Sequence, residues 1–154
     1  NIGKNKYGID VHSSMYAGLH TNLPKEVMGA PDFPIPPQEK SYISAEDFLK
    51  YLNLYADNFE VRDCIKFEHQ VLRISSLANC TWEVIVKDLK REKQEIFHFD
   101  AVLVCNGHYH TPSIPKYEGS EIFKGRQLHS HHYRCPEPFS NESVLIIGGK
   151  IALK

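Results

Sequence analysis

A cluster of histidines and one cysteine is the most conspicuous set of side chains that could bind a metal. It has an HxHHxxC pattern formed by His129, His131, His132 and Cys135. Imidazole and thiolate groups are zinc ligands, but this spacing matches no standard structural zinc set. The positive charge of Arg134, inside the cluster, would also repel the metal. The sequence therefore predicts no metal site.

Two apolar runs end in glycine, where a cofactor could approach the backbone closely. Residues 100–106 are followed by Gly107, and residues 144–147 are followed by Gly148. Glycine has no Cβ, so a phosphate or a ring edge could lie against it, although a simple tight turn explains Gly107 equally. Apolar runs without alternation are typical of strands buried on both faces of a parallel sheet.

A polar pair, Thr21-Asn22, lies in the proline-rich first part of the chain. An asparagine amide donates and accepts hydrogen bonds without titrating, which suits it to contacting a cofactor. From the residues alone, a simpler interpretation than a cofactor contact is that the pair stabilises a turn before Pro24. The surrounding residues 1–40 contain too many prolines for a helix or a central strand, and they predict a long ordered loop.

The elements that must position these residues follow the loop. A capping box at Ser44-Ala-Glu-Asp47, with apolar residues spaced three and four apart, predicts a helix over 44–58. Alternating β-rich segments then predict an antiparallel meander over 62–99, with strands at 64–67, 69–77, 81–87 and 95–99. With parallel strands at 100–106 and from residue 144, the fold class is α/β, a Rossmann-like parallel sheet with an antiparallel β-meander.

Composition limits the possible partners. Eighteen Lys and Arg residues against nineteen Asp and Glu residues give a net charge of −1, which argues against a nucleic-acid partner. No apolar run has the length of a membrane helix. The four cysteines form no CxxC pair, and we expect reduced thiols, with Cys105 buried. Localisation is open: the cytoplasm or the endoplasmic reticulum is expected, and sequons at Asn79 and Asn141 leave secretion possible.

Three segments resemble the flavin-containing monooxygenases. Residues 123–133 match the family's FxGxxxHxxxY fingerprint at its four fixed positions, Phe123, Gly125, His129 and Tyr133. The segment 16–28 is similar to the family's segment beside the flavin, and 104–109 is similar to its second glycine motif. The resemblance covers 7–149 and implies an enzyme that uses FAD, NADPH and O2 to oxygenate soft nucleophiles, amine nitrogen or sulfide sulfur, through a C4a-hydroperoxyflavin.

The same resemblance implies roles for individual residues. Asn22 is the implied catalytic residue, lying over the flavin with Thr21, and Val71 is implied to pair its backbone with the adenine. The other implied cofactor-binding residues are Gly107, His129, Tyr133 and Gly148. For Val71 a packed strand residue is the alternative, and for His129 and Tyr133 it is a purely structural role.

The resemblance also implies a domain division, with departures from the family pattern. Residues 1–112 correspond to part of an FAD-binding domain, 113–143 to an interdomain linker, and 144–154 to the start of an NADPH-binding domain. No GxGxxG cluster precedes Tyr7, and Lys150 stands where the family has a third glycine. We therefore expect a partial two-dinucleotide-domain flavoprotein, incomplete at both ends and inactive as this fragment alone.

Two other functions remain open at this point. The chain could be a cofactor-free binding or regulatory module derived from such an enzyme, using an exposed sheet edge. It could also come from a Baeyer–Villiger-type monooxygenase, which shares the fingerprint region. Flavin absorbance would distinguish the first alternative, and oxygenation of ketones rather than sulfides would distinguish the second.

Overall fold

The structure is a computed structural model that describes residues 3–11, 13–107 and 109–148. Its one described α-helix and five strands are, in chain order, β1 (Gly3–Lys4), β2 (Asp10–Val11), α1 (Ala45–Asn58), β3 (His69–Ser76), β4 (Trp82–Asp88) and β5 (Lys93–Phe99). Strands β1 and β2 pair antiparallel, and β3, β4 and β5 form a separate antiparallel sheet in that order. The described fold is thus α/β, with a three-stranded antiparallel sheet and a helix.

Helix α1 begins as its capping box predicts. The Ser44 hydroxyl oxygen accepts a hydrogen bond from the Asp47 amide at 3.1 Å and donates to the Asp47 carboxylate at 2.8 Å. Glu46 and Asp47 add negative charge to the first turn, where the helix dipole favours it. The predicted helix over 44–58 is confirmed, with Ser44 as its N-cap.

The meander is confirmed over three of its four predicted strands. Strand β4 lies in the centre, pairing Trp82 with both Ser76 and Phe99, and a bulge interrupts β3 between Val71 and Arg73. The predicted strand at 64–67 is wrong, because Val61–Cys64 forms a 3-10 turn instead. The turn follows Glu60, whose φ of 53° reverses the chain direction after the helix.

The buried core joins α1 to the loop that precedes it. Ile35, Ile43 and Tyr51 are buried, and Met28, Phe33 and Phe48 pack against them half-buried. The part of the predicted loop from Met28 to Ile35 is therefore ordered by packing on the helix. Its apolar side chains supply the core that α1 needs on one face.

The predicted parallel strands at 100–106 and 144–147 are wrong for this structure. Neither segment is a strand, and Leu103 and Leu145 are 88% and 84% exposed. A parallel strand is stabilised by neighbouring strands on both sides, and the described residues supply none beside either segment. For the same reason Cys105 is exposed, which corrects the expectation that its thiol is buried.

Much of the apolar surface is uncovered within this chain. Its accessible surface is 13148 Å². A compact protein of this mass exposes roughly 8000 Å². No described helix is long and apolar enough to cross a membrane.

Candidate functional site

The loop that carries Thr21 and Asn22 is fixed on one side by the start of α1. The Thr21 amide donates to the Ile43 carbonyl at 2.9 Å, and the Ala45 amide donates to the Leu19 carbonyl at 2.9 Å. These two bonds enclose the N-cap of the helix. Leu19 and Thr21, on the N-terminal side of Asn22, are thereby bonded to the start of a rigid element.

A buried lysine fixes the same loop a few residues further on. Lys25 is 8% exposed, and its ammonium donates to the Lys40 carbonyl at 2.9 Å and to the Glu26 carboxylate at 2.8 Å. Hydrogen bonding from Lys25 is the main cause that lowers the pKa of Glu26, and the Ser41 hydroxyl also donates to this carboxylate. The two ends of the proline-rich stretch are joined by this contact.

The segment that follows the fingerprint histidine fixes the loop from the other side. Arg134 donates through Nη2 to the Ser13 carbonyl at 2.7 Å, and the Arg134 carbonyl accepts from the Ala17 amide at 2.7 Å. The rings of Tyr16 and Tyr133 also meet, with centroids 5.5 Å apart. The structure therefore brings residues 13–17 and 133–134 together.

The fingerprint residues have local reasons for their identities. A Cβ at Gly125 would lie 2.4 Å from the Phe123 ring, so this ring could not keep its position over any larger residue. His129 accepts a hydrogen bond through Nδ1 from the His131 amide at 3.1 Å and so caps the 3-10 turn Ser130–His132. Tyr133 packs between Tyr16 and Phe139. Its ring provides the aromatic contact to the loop.

Thr21 and Asn22 differ in how their side chains are used. The Thr21 hydroxyl donates to the Leu23 carbonyl at 2.8 Å, which is the turn-stabilising role that the sequence allowed for the pair. The Asn22 side chain is exposed and has no hydrogen-bond partner among the described residues. Its amide is available to a ligand, while the backbone on either side is fixed.

The other predicted cofactor-binding residues lie outside this contact region. Val71 is in β3 beside the bulge and is 54% exposed. Gly107 has a φ of +80°, so its backbone conformation favours glycine, whereas Gly148 has neither a positive φ nor a close neighbour. In the described part of the chain no hydrogen bond joins these three residues to the Asn22 loop.

Sequence reasoning missed the role of Arg134. In the sequence it was noted within the histidine cluster and directly after the fingerprint, where the family pattern more often has Lys or Pro, yet it provides the hydrogen bonds between the two segments. Its partners are backbone carbonyls, which every residue has, so no residue pattern could have indicated them. Among the described residues, no group of three or more His, Cys, Asp or Glu side chains is arranged to hold a metal ion.

Comparisons with known proteins agree on one family. A family model described as flavin-binding monooxygenase-like matches residues 5–152. The chain is 39% identical over 145 residues to flavin-containing monooxygenase FMO GS-OX3 of Arabidopsis thaliana, covering 90% of this chain and 31% of that protein. The structure of S-allyl-L-cysteine S-oxygenase from Allium sativum is similar with a TM-score of 0.77 and 36% identity, covering 90% of this chain and 32% of that one.

A bacterial structure is similar to the same extent. The crystal structure of Tmm from Pelagibacter sp. strain HTCC7211 matches with a TM-score of 0.78 and 31% identity, again over 90% of this chain and 32% of that one. The chain thus spans about a third of the length of the relatives that it matches.

Proposed function

Because the chain belongs to the flavin-binding monooxygenase-like family, we propose that it forms part of an FAD-binding domain in an NADPH-dependent flavin monooxygenase with two dinucleotide-binding domains. FAD and NADPH are the cofactors that the family implies. The proposed substrate is a small molecule with a soft nucleophilic atom, sulfide sulfur first and amine nitrogen second. Similarity to the Allium sativum enzyme supports sulfur, since that protein is named as an S-allyl-L-cysteine S-oxygenase.

The proposed reaction is a monooxygenation in which NADPH supplies two electrons. A sulfide, O2, NADPH and one proton give a sulfoxide, NADP⁺ and water, so one oxygen atom reaches sulfur and the other reaches water. Bound FAD would supply the chemistry that accepts electrons from NADPH and activates O2. The chain's own residues would position Asn22 beside it, because the backbone around Asn22 is anchored to α1 and to Arg134.

The observation that carries the proposal is the position of Asn22 on a fixed backbone. Its amide is exposed and without a partner in the described part of the chain, whereas the loop around it is anchored to α1 and to Arg134. A neutral amide that can donate and accept suits the edge of a flavin or of a nicotinamide. The residues present therefore fit an FAD-binding role, with Asn22 holding the cofactors in register.

The test is Asn22→Ala in the FAD-loaded protein that contains this sequence. Losing one preorganised donor commonly costs about 2.7–4 kcal/mol in sites that stabilise developing negative charge. Sulfoxide formation should therefore fall by about 100-fold or more, while NADPH oxidation continues and releases hydrogen peroxide. Bound FAD should stay near the wild-type level, measured by its absorbance. Asn58→Ala, which changes an exposed asparagine at the end of α1, is the matched control.

Three results would count against the proposal. A wild-type protein that binds no flavin would favour the cofactor-free module instead. Ketone oxygenation in place of sulfide oxygenation would favour the Baeyer–Villiger type. An Asn22→Ala variant with unchanged sulfoxide yield per NADPH would leave Asn22 with only a structural role.

A further inference from the structure

Given the proposed function, we propose that Arg134 is a positioning residue that holds the Asn22 loop against the fingerprint segment. The proposal rests on contacts between residues far apart in the chain. Arg134 donates to the Ser13 carbonyl across 121 positions of sequence, and its own carbonyl accepts from the Ala17 amide. One residue therefore connects the segment to the loop through its side chain and its backbone.

The guanidinium is itself held in place. Its Nη1 donates to the carbonyls of His131 at 2.7 Å and Tyr133 at 2.6 Å, while Nη2 reaches Ser13 at 2.7 Å. The Nε atom is buried with no hydrogen-bond partner. A buried unpartnered donor is unfavourable, and it is tolerated here because the other two nitrogens are satisfied. The side chain thus has one fixed orientation, with its two terminal nitrogens directed at different segments.

A lysine at this position could not reproduce these contacts. Its charge resides on one nitrogen, whereas the planar guanidinium presents donors from two terminal nitrogens in a fixed geometry. One ammonium would have to serve carbonyls that Nη1 and Nη2 now contact separately. The charge alone is therefore insufficient, and the spacing of the two nitrogens fixes the loop.

Loop position determines where Asn22 lies. Ala17 is five residues before Asn22, and the Tyr16–Tyr133 ring contact flanks the same point. On the other side, the bonds to α1 hold Leu19 and Thr21. If the Arg134 side chain is lost, this side of the loop keeps the Ala17–Arg134 backbone bond and the Tyr16–Tyr133 ring contact but loses the bond to Ser13. Asn22 can then move relative to a cofactor that is bound by other parts of the protein.

The experiment compares Arg134→Ala and Arg134→Lys with the wild type by amide hydrogen exchange in the FAD-loaded protein that contains this sequence. The Ala17 amide is the probe, because Arg134→Ala leaves its backbone acceptor in place. In Arg134→Ala the Ala17 amide should exchange about ten-fold faster or more, while amides of β4 stay unchanged. Arg134→Lys should show at least half of this effect on a logarithmic scale. The control is Arg126→Ala, which removes a guanidinium 4.7 Å from the Phe139 ring in the same region. This variant should change neither the exchange of the Ala17 amide nor that of the β4 amides.

A second readout separates positioning from general stability. Hydrogen peroxide released per NADPH should rise several-fold in Arg134→Ala, with FAD content unchanged. The peroxide yield of Arg134→Lys should lie between those of the wild type and Arg134→Ala. Unchanged Ala17 exchange in Arg134→Ala overturns the inference, and so does full protection in Arg134→Lys. If the wild type shows no NADPH-dependent oxygenation, the proposed function fails, but the exchange data still decide the role of Arg134.

Discussion

Tyr51→Phe is the substitution that most directly tests how the loop is held on helix α1. Tyr51 is 4% exposed, and its hydroxyl donates to the Phe33 carbonyl at 2.8 Å while accepting from the Ala30 amide at 2.8 Å. One oxygen atom thus closes the turn between Ala30 and Phe33 from the helix side. Phenylalanine keeps the ring, which stacks on Phe33 with centroids 6.0 Å apart, and removes only the hydroxyl.

The cost follows from the two backbone groups that lose their partner. A buried donor or acceptor left unsatisfied costs about 1–3 kcal/mol. Ala30 and Phe33 are half-buried, so water can partly replace the hydroxyl, and each group falls at the low end of that range. Together they lower the free energy of unfolding by about 2 kcal/mol, which is roughly a 30-fold change in the equilibrium constant.

The assay is urea denaturation, combined with hydrogen exchange at the Ala30 amide. In Tyr51→Phe this amide loses its described acceptor, so it should exchange roughly 30-fold faster. Tyr55→Phe is the matched control: Tyr55 lies on the same helix and contacts the Phe33 ring, yet its hydroxyl has no hydrogen bond to the described residues. Equal unfolding free energies for the two variants would refute the reasoning.

Two further predictions concern the meander and the glycines. Hydrogen bonds from the Arg91 and Lys90 amides lower the pKa of Asp88, so its stabilising effect is complete above the ordinary Asp pKa of about 3.9 and is lost as pH falls through the lowered value. Asp88→Asn should flatten this acid transition, followed through the fluorescence of Trp82, the chain's one tryptophan, and an unchanged transition would contradict it. Gly107→Ala should cost about 1 kcal/mol of stability through its positive φ, whereas Gly148→Ala should cost little; equal melting temperatures would show that the conformation of Gly107 is not the reason for its glycine.

The local elements could be predicted from sequence because their signals are local. The Ser44 cap and the spacing after it define α1, and alternation defines β3 to β5. The prediction of a strand at 64–67 is wrong because the left-handed backbone conformation of Glu60 turns the chain back toward the helix. An Arg62–Asp57 ion pair, at 2.7 Å, holds this turn. Neither feature leaves a periodic pattern.

The other predictions that are wrong concern segments whose structure depends on residues far away in the chain. The runs at 100–106 and 144–147 have the composition of buried strands, but burial requires flanking strands that the described residues do not supply. The candidate site also has one part that the sequence indicated and one part that it did not. Asn22 is predicted as a site residue only through resemblance to a family and stays a prediction. The contact from Arg134 to Ser13 was not predicted, because a backbone carbonyl gives no sequence signal.

The distance along the chain between Ser13 and Arg134 also affects the order of folding. The bonds from the loop to α1 join residues within 26 positions of each other, so they can form soon after the helix is made. Arg134 is synthesised 76 residues after Asn58, the last residue of α1, so its bond to Ser13 forms later. At about 5–20 residues per second of synthesis, that interval is roughly 4 to 15 seconds. During this interval the Asn22 loop is anchored on one side only, so its final geometry is acquired late, after the meander has been synthesised.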